Sequence, residues 1–419
     1  MLRVGLIGFG GGNALIPIIE KEVVERYGLV TKEEYEEDVL VASITPGALP
    51  VEIAGGVGRR CMGPKGLLLG SFTLALPGGV LTLLLSSVIT LASDEVLLQI
   101  RYLAVGVTAF ISCLLTQYIL TAARMGRENG IFRGSMAVVL LVFAFTCGKN
   151  LQRLLGFDAG PMVVLSTVKV FAIALVLMLL FGKRDGEKDP DGAPNRAVLV
   201  RVAKELGYIL AVTLLFLAAA CFVTPETLDY AAKGFLSSLM SFGGGDAYLT
   251  VADGLFVQTG IIEEGDFFGY IVPVANILPG SILCKTLAGV GYFAGFERTG
   301  SVAGGVLVAT AGFFVSLLAS CGVFALAGYF HERFRNLYVI RGIKRWIRPI
   351  VSGLMLTVIL SLVVQNQKLG VESGLGIVPP VLMIGIYCLD MGLKYVMKLG
   401  NGSIVFLSAL LAFIVCNLA

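Results

Sequence analysis

Gly8-Phe9-Gly10-Gly11-Gly12-Asn13-Ala14 recurs 233 residues later as Ser241-Phe242-Gly243-Gly244-Gly245-Asp246-Ala247. At the same offset Pro46-Gly47 returns as Pro279-Gly280, and Gly56-Val57-Gly58 returns as Gly289-Val290-Gly291. One residue further along, Gly70 matches Gly304 and Gly78 matches Gly312. Between the glycine run and the Pro-Gly step each copy carries an acidic stretch ending in an aromatic residue, Thr31 to Tyr35 and Glu263 to Phe267. Several motifs keeping one spacing mark a tandem duplication.

The duplicated unit belongs in a bilayer. Of 419 residues, 56% are apolar and 15% charged, against about 25% charged in an ordinary soluble domain. Long apolar runs lie near 66–92, 103–123, 134–148, 160–182, 205–224, 300–330, 347–364, 376–390 and 403–418. Their length and lack of alternation predict helices rather than barrel strands. No signal peptide is expected, because the short apolar start lacks a basic flank and a small-residue cleavage site. Eight cysteines without metal-type or paired spacing read as small buried hydrophobes, with neither a disulfide framework nor a metal site expected.

The expected organisation is an all-α integral membrane protein: a first repeat over 1–182, a polar linker over 183–204, a linking transmembrane helix over 205–224, and a second repeat over 234–419. Each repeat holds two glycine-broken segments, read as re-entrant, followed by four transmembrane helices. Counting spans from one repeat to the next gives an odd number, which inverts the second. Basic residues, which collect in cytoplasmic loops, agree. With the linker and the N-terminus inside, 24 of the 32 basic residues fall on that side. The stretch from Asp253 to Asp266, which has no basic residue, falls outside with the C-terminus. The basic run from Arg333 to Arg348, beside His331 and Trp346, reads as an interfacial segment on anionic lipid, with His331 in a solvated loop. Nucleic-acid binding is a poor competitor for a run flanked by spans.

Glycine and proline weaken helices by about 1 and 3 kcal/mol per residue, so their repetition in apolar segments calls for a reason. Gly66, Gly70, Gly304 and Gly305 read as close helix packing. The glycine triplets exceed what packing needs. Broken helices in inverted-repeat transporters form the midplane site, and half-helix N-termini with glycine nests suit an anion.

The residues carry a resemblance. Phe-Gly-Gly-Gly, an acidic stretch, Pro-Gly, Gly-x-Gly and a downstream Leu76-Pro77-Gly78, in two copies over essentially the whole chain, resemble the chromate ion transporter family. That resemblance implies chromate export, with sulfate as the look-alike oxyanion, by a secondary transporter without a nucleotide-binding domain or cofactor, in the inner membrane of a cell. The chain departs from the family pattern at Ala48 and Ser281, where a second proline is usual, and at Thr310-Ala311-Gly312 in place of the second Leu-Pro-Gly.

Read from chemistry, the candidate ligands of a tetrahedral dianion are the N–H groups of Gly10, Gly11, Gly12, Gly243, Gly244 and Gly245. The Pro46-Gly47 and Pro279-Gly280 steps lie with them. Asn13, Ser43, Thr45, Asn276 and Ser281 would be neutral donors and Lys285 the cation. At the repeat offset Lys285 answers to Glu52, and Asp246 to Asn13. An ion pair between Glu52 and Lys285 is therefore one expectation, and proton carrying by Glu52 or Asp246 another, with helix capping the alternative for Asp246. An anion channel and a membrane enzyme acting on a lipid-linked substrate remain the competing functions. A homodimer is left open.

Overall fold

The structure is a computed structural model, and it describes residues 1–7, 15–128, 130–155, 165, 169–170, 173, 196–241, 245–334, 338–397 and 399–419. Among these residues there are helices and no strands. Among the described residues, six helices are long and apolar enough to cross a membrane: Pro64–Leu91, Glu95–Glu128, Val198–Val223, Val302–Gly328, Arg348–Glu372 and Asn401–Leu418.

In the first half, α1 (Leu2–Ile7) and α2 (Ile16–Glu20, continued by a π-type turn through Arg26) lead to α3 (Lys32–Ile44), α4 (Leu49–Met62), α5 (Pro64–Leu91), α6 (Asp94–Glu128), α7 (Phe132–Thr146) and α8 (Gly148–Leu155). After the linker come α9 (Arg196–Val223), α10 (Thr227–Leu239) and α11 (Gly245–Ala252, continued through Val257). Then follow α12 (Glu264–Ile277 with a π-type turn at its centre), α13 (Ile282–Thr299), α14 (Val302–Phe334), α15 (Tyr338–Glu372), α16 (Val378–Tyr395) and α17 (Asn401–Leu418).

Several expected spans meet a different outcome. The run near 134–148 forms α7 of 15 residues, which rises about 22 Å and falls short of a full crossing before it is interrupted at Cys147, with α8 beginning at Gly148. Most of 160–182 and of the linker lies outside the described residues. The basic run is helical from Tyr338, built into the first turns of α15, and His331 belongs to α14 rather than to a loop.

Local chemistry explains the breaks. Thr31 caps α3 with a full capping box: its hydroxyl accepts from the Glu34 N–H at 3.2 Å, and the Glu34 carboxylate accepts from the Thr31 N–H at 2.9 Å. This satisfies two otherwise orphaned donors. At the far end Thr45 is extended, and Gly47 sits at φ 139° before α4 begins. In the second half Leu278 is extended and Gly280 sits at φ 94° before α13 begins. Both Pro-Gly steps thus use a positive φ that favours glycine, at the same place in each half.

Packing is matched as well. Helix α4 lies along α5 as α13 lies along α14, and α6 meets α16 as α15 meets α7. The glycines expected as packing contacts act so. A Cβ on Gly58 would collide with the Gly66 carbonyl, one on Gly66 with the Gly58 carbonyl, and one on Gly70 with the Ala54 carbonyl. Because backbone cannot move aside as a flexible side chain can, Gly66→Ala is expected to cost about 1–3 kcal/mol by overpacking. A lowered unfolding midpoint in detergent, against an unchanged one for Gly392→Ala in open space, checks this.

Candidate functional site: two broken helices at a buried centre

The two Pro-Gly steps meet the opposite half. The Gly47 N–H donates to the Ser241 carbonyl at 2.9 Å, and the Ala48 N–H donates to Ser320 Oγ at 3.0 Å. The N-terminus of α4 is therefore capped by the second half. Reciprocally, the second step lies against the first half. A Cβ on Gly78, in α5, would stand 2.6 Å from the Pro279 carbonyl oxygen, and one on Gly280 would stand 3.7 Å from the Gly5 carbonyl oxygen and the Gly78 Cα.

Each half-helix carries one buried charge in its first turn. Glu52 is fully buried, and its Oε2 accepts a 2.6 Å hydrogen bond from Thr45, whereas Oε1 has no hydrogen-bond partner among the described residues. A Cβ on Gly47 would run into that Oε1. Lys285 is equally buried, and its Nζ donates to the Leu278 carbonyl, while its stem lies 3.1–3.3 Å from where a Gly78 Cβ would be. Both side chains reach back over their own Pro-Gly step. A helical side chain leans toward the N-terminus of its helix, which separates the two charges. The expected Glu52–Lys285 ion pair is accordingly not formed.

The remaining expected residues divide. Thr45, Gly47, Asn276, Pro279, Gly280, Ser281 and Lys285 are buried around the two steps, and Pro46 is half-buried. Asn276 spends its amide on the Val272 carbonyl at 2.8 Å within its own helix. Ser43 is exposed and donates to the Leu40 carbonyl at 2.8 Å, away from the centre. Gly245 opens α11 and Asp246 follows it, the Asp246 side chain lying outside the described residues. Gly10, Gly11, Gly12, Asn13, Gly243 and Gly244 also lie outside them.

Sequence reading passed over Ser241, Ser320 and Asp38. Asp38 is 1% exposed and holds Arg59 Nη2 at 3.3 Å and Arg60 Nε at 2.9 Å. It precedes Thr45 by seven residues on α3, so both face α4. That spacing was the available signal. Ser320 and Ser241 meet the first half by pairing distant in sequence, which residue type does not announce.

Beside the acidic loop a cavity of about 770 Å³ is lined by Asp253, Glu263, Glu264, Glu297 and Glu372 against the cations Arg101 and Lys368. This excess of carboxylates repels anions. At the start of α12, burial raises Asp266 to about 6, with Glu263 adding to the rise. A carboxyl raised in the folded state stabilises the fold below its ordinary range and loses that contribution as pH climbs through about 6. The unfolding midpoint should fall between roughly pH 4 and 6, and Asp266→Asn should flatten that part of the profile.

These helices and this buried centre define a multi-pass α-helical membrane protein whose core is two broken helices from separate halves. The family model described as Chromate transporter matches residues 1–184 and again 228–417. The chain belongs to that family. Among curated relatives, it is similar to an uncharacterized transporter of Bacillus subtilis, YwrB, at 32% identity over 77 residues, covering 18% of this chain and 39% of the relative. It is similar to a probable chromate transport protein of Synechococcus elongatus at 27% over 125 residues, covering 30% of this chain and 32% of the relative. A chromate transport protein of Cupriavidus metallidurans is 26% identical over 128 residues, 30% of this chain and 32% of the relative. The alignments thus span well under half of these relatives' length. No solved structure matches the chain.

Proposed function

We propose that the protein is a secondary transporter of a tetrahedral oxyanion, chromate with sulfate as its look-alike, that binds at the N-terminus of α13. One observation carries the choice of that helix end. Each half presents a half-helix N-terminus to the buried centre, equivalent to about half a positive charge. At α4 that potential meets Glu52 and caps supplied by Ser241 and Ser320. At α13 it coincides with the Lys285 ammonium, and Ser281 makes no side-chain capping bond. Two positive potentials superimposed, with a hydroxyl and backbone N–H groups around them, suit a dianion. The first half supplies a built-in carboxylate where the second supplies a cation.

The matched breaks, matched positive-φ glycines and matched helix pairs support reading the halves as inverted repeats with re-entrant broken segments. On that reading the linker and the N-terminus face the cytoplasm and the C-terminus the outside of the inner membrane. Glu52 is the coupling group: with one oxygen unpartnered, it takes and releases a proton as the anion at α13 comes and goes. Rocking of one half against the other around this centre gives alternating access.

The test is binding. In detergent, millimolar chromate or sulfate should raise the unfolding midpoint by mass action, and Lys285→Ala should lose that shift. Stabilisation by neither anion would sink the site. A membrane enzyme would instead form product in detergent without any vesicle.

A further inference from the structure

We propose that Glu205, on α9, is the linker-side proton acceptor that exchanges protons with Glu52, which makes α9 a working part of the transporter rather than a tether. This rests on the reading of Glu52 as the coupling group. Two equally buried carboxylates near the linker side show contrasting surroundings. Asp38 receives hydrogen bonds from Arg59 and Arg60. Glu205 is 0% exposed, and neither of its oxygens has a hydrogen-bond partner among the described residues. Arg201, one turn earlier, makes a long ion pair with Oε1 at 3.9 Å and is 46% exposed. A buried carboxylate without donors costs stability, and in a membrane helix an ionisable group of that kind marks a proton relay or substrate pathway. A purely structural carboxylate would be expected to resemble Asp38.

Position supplies the second half of the case. Helix α9 packs along α14, with Leu206 3.4 Å from where a Gly322 Cβ would stand. Cys321, the neighbour of Gly322, is fully buried and lies within electrostatic reach of both Glu52 and Glu205. On its other side Cys321 Sγ is 3.6 Å from where a Cβ on Gly55 would be, one turn beyond Glu52 on α4. Small groups, Cys321 and Gly55, thus meet where α14 approaches α4. The charged and titratable groups within electrostatic reach of Glu205 are Arg59 from α4, Cys321 from α14 and Arg201 from α9 itself. Lys65 of α5 lies over the Tyr208 ring, one turn away. Arg59 stacks on Phe324 and holds Asp38, so it can stabilise the Glu205 carboxylate while remaining anchored. In each cycle the Glu52 carboxyl gives up its proton, the Glu205 carboxylate takes it, and Glu205 then releases it to solvent beside Arg201. No electron moves and no further reactant is needed.

The test uses the full chain in proteoliposomes with two readouts: oxyanion accumulation driven by a pH gradient, and exchange of labelled for unlabelled oxyanion at equal pH. Glu205→Gln is expected to lower gradient-driven accumulation by roughly a hundredfold or more, the least expected from losing a proton-transfer group, while exchange continues. Glu205→Asp should restore part of the accumulation. Wild-type accumulation by Glu205→Gln overturns the assignment, and so does loss of both readouts, which would mark a structural role. If Glu52→Gln also accumulates like the wild type, the coupling reading itself falls and this inference falls with it.

Discussion

Lys285→Ala should abolish oxyanion transport. The ammonium sits at the positive end of α13, with its stem fitted against Gly78. Truncation removes the charge and leaves a void where that stem packs. Removing one partner of a buried charge pair costs about 2–5 kcal/mol, hence about 30-fold to several thousand-fold in affinity. Lys285→Arg keeps the charge but brings a planar, wider head into a space closed by the Gly78 backbone, and the two cations are not interchangeable in such a site. It should recover little. The measurement is initial uptake of labelled sulfate into proteoliposomes, with monodispersity in detergent as the folding control. Undiminished flux in Lys285→Ala would remove the cation from the account.

Glu52→Gln should separate anion movement from the proton. The amide oxygen can still accept from Thr45, so the 2.6 Å contact that ties α3 to α4 survives, whereas the group can no longer lose or gain a charge. Exchange of labelled anion at equal pH should persist. Accumulation driven by a pH gradient should fall by about two orders of magnitude, in line with the loss of a positioned acid–base group. Wild-type accumulation in this variant would leave the buried carboxylate as a structural neighbour of Thr45 and nothing more. Asp38→Asn, two turns before Thr45 on the same helix, should not uncouple the protein, since Asp38 is held by Arg59 and Arg60.

Glycine and proline made the architecture legible because they act locally. A positive φ at Gly47 and Gly280 and the helix start that follows each are backbone consequences of the residues themselves. The charged pair was legible by alignment, but its geometry was not. Repeat symmetry relates Glu52 to Lys285 without bringing them together. The tilt of first-turn side chains toward their own helix start decided where each one points. Ser320 and the Ser241 carbonyl were illegible for another reason: they contribute through contacts across hundreds of residues, and a buried serine looks the same in sequence as the many that bond within their own helix, such as Ser71 and Ser408. Asp38 was within reach, since it precedes Thr45 by two turns on α3. Glu205 gave no local signal, because its significance lies in the partners it lacks.

The most direct test of an oxyanion transporter built around α13 is uptake of labelled chromate and sulfate into inside-out membrane vesicles, with and without an imposed pH gradient. Concentrative uptake that needs the gradient and disappears in Lys285→Ala is the result predicted. Uptake that only equilibrates across the membrane and ignores the gradient would make the protein a channel, and no uptake of either anion would contradict the account at its centre.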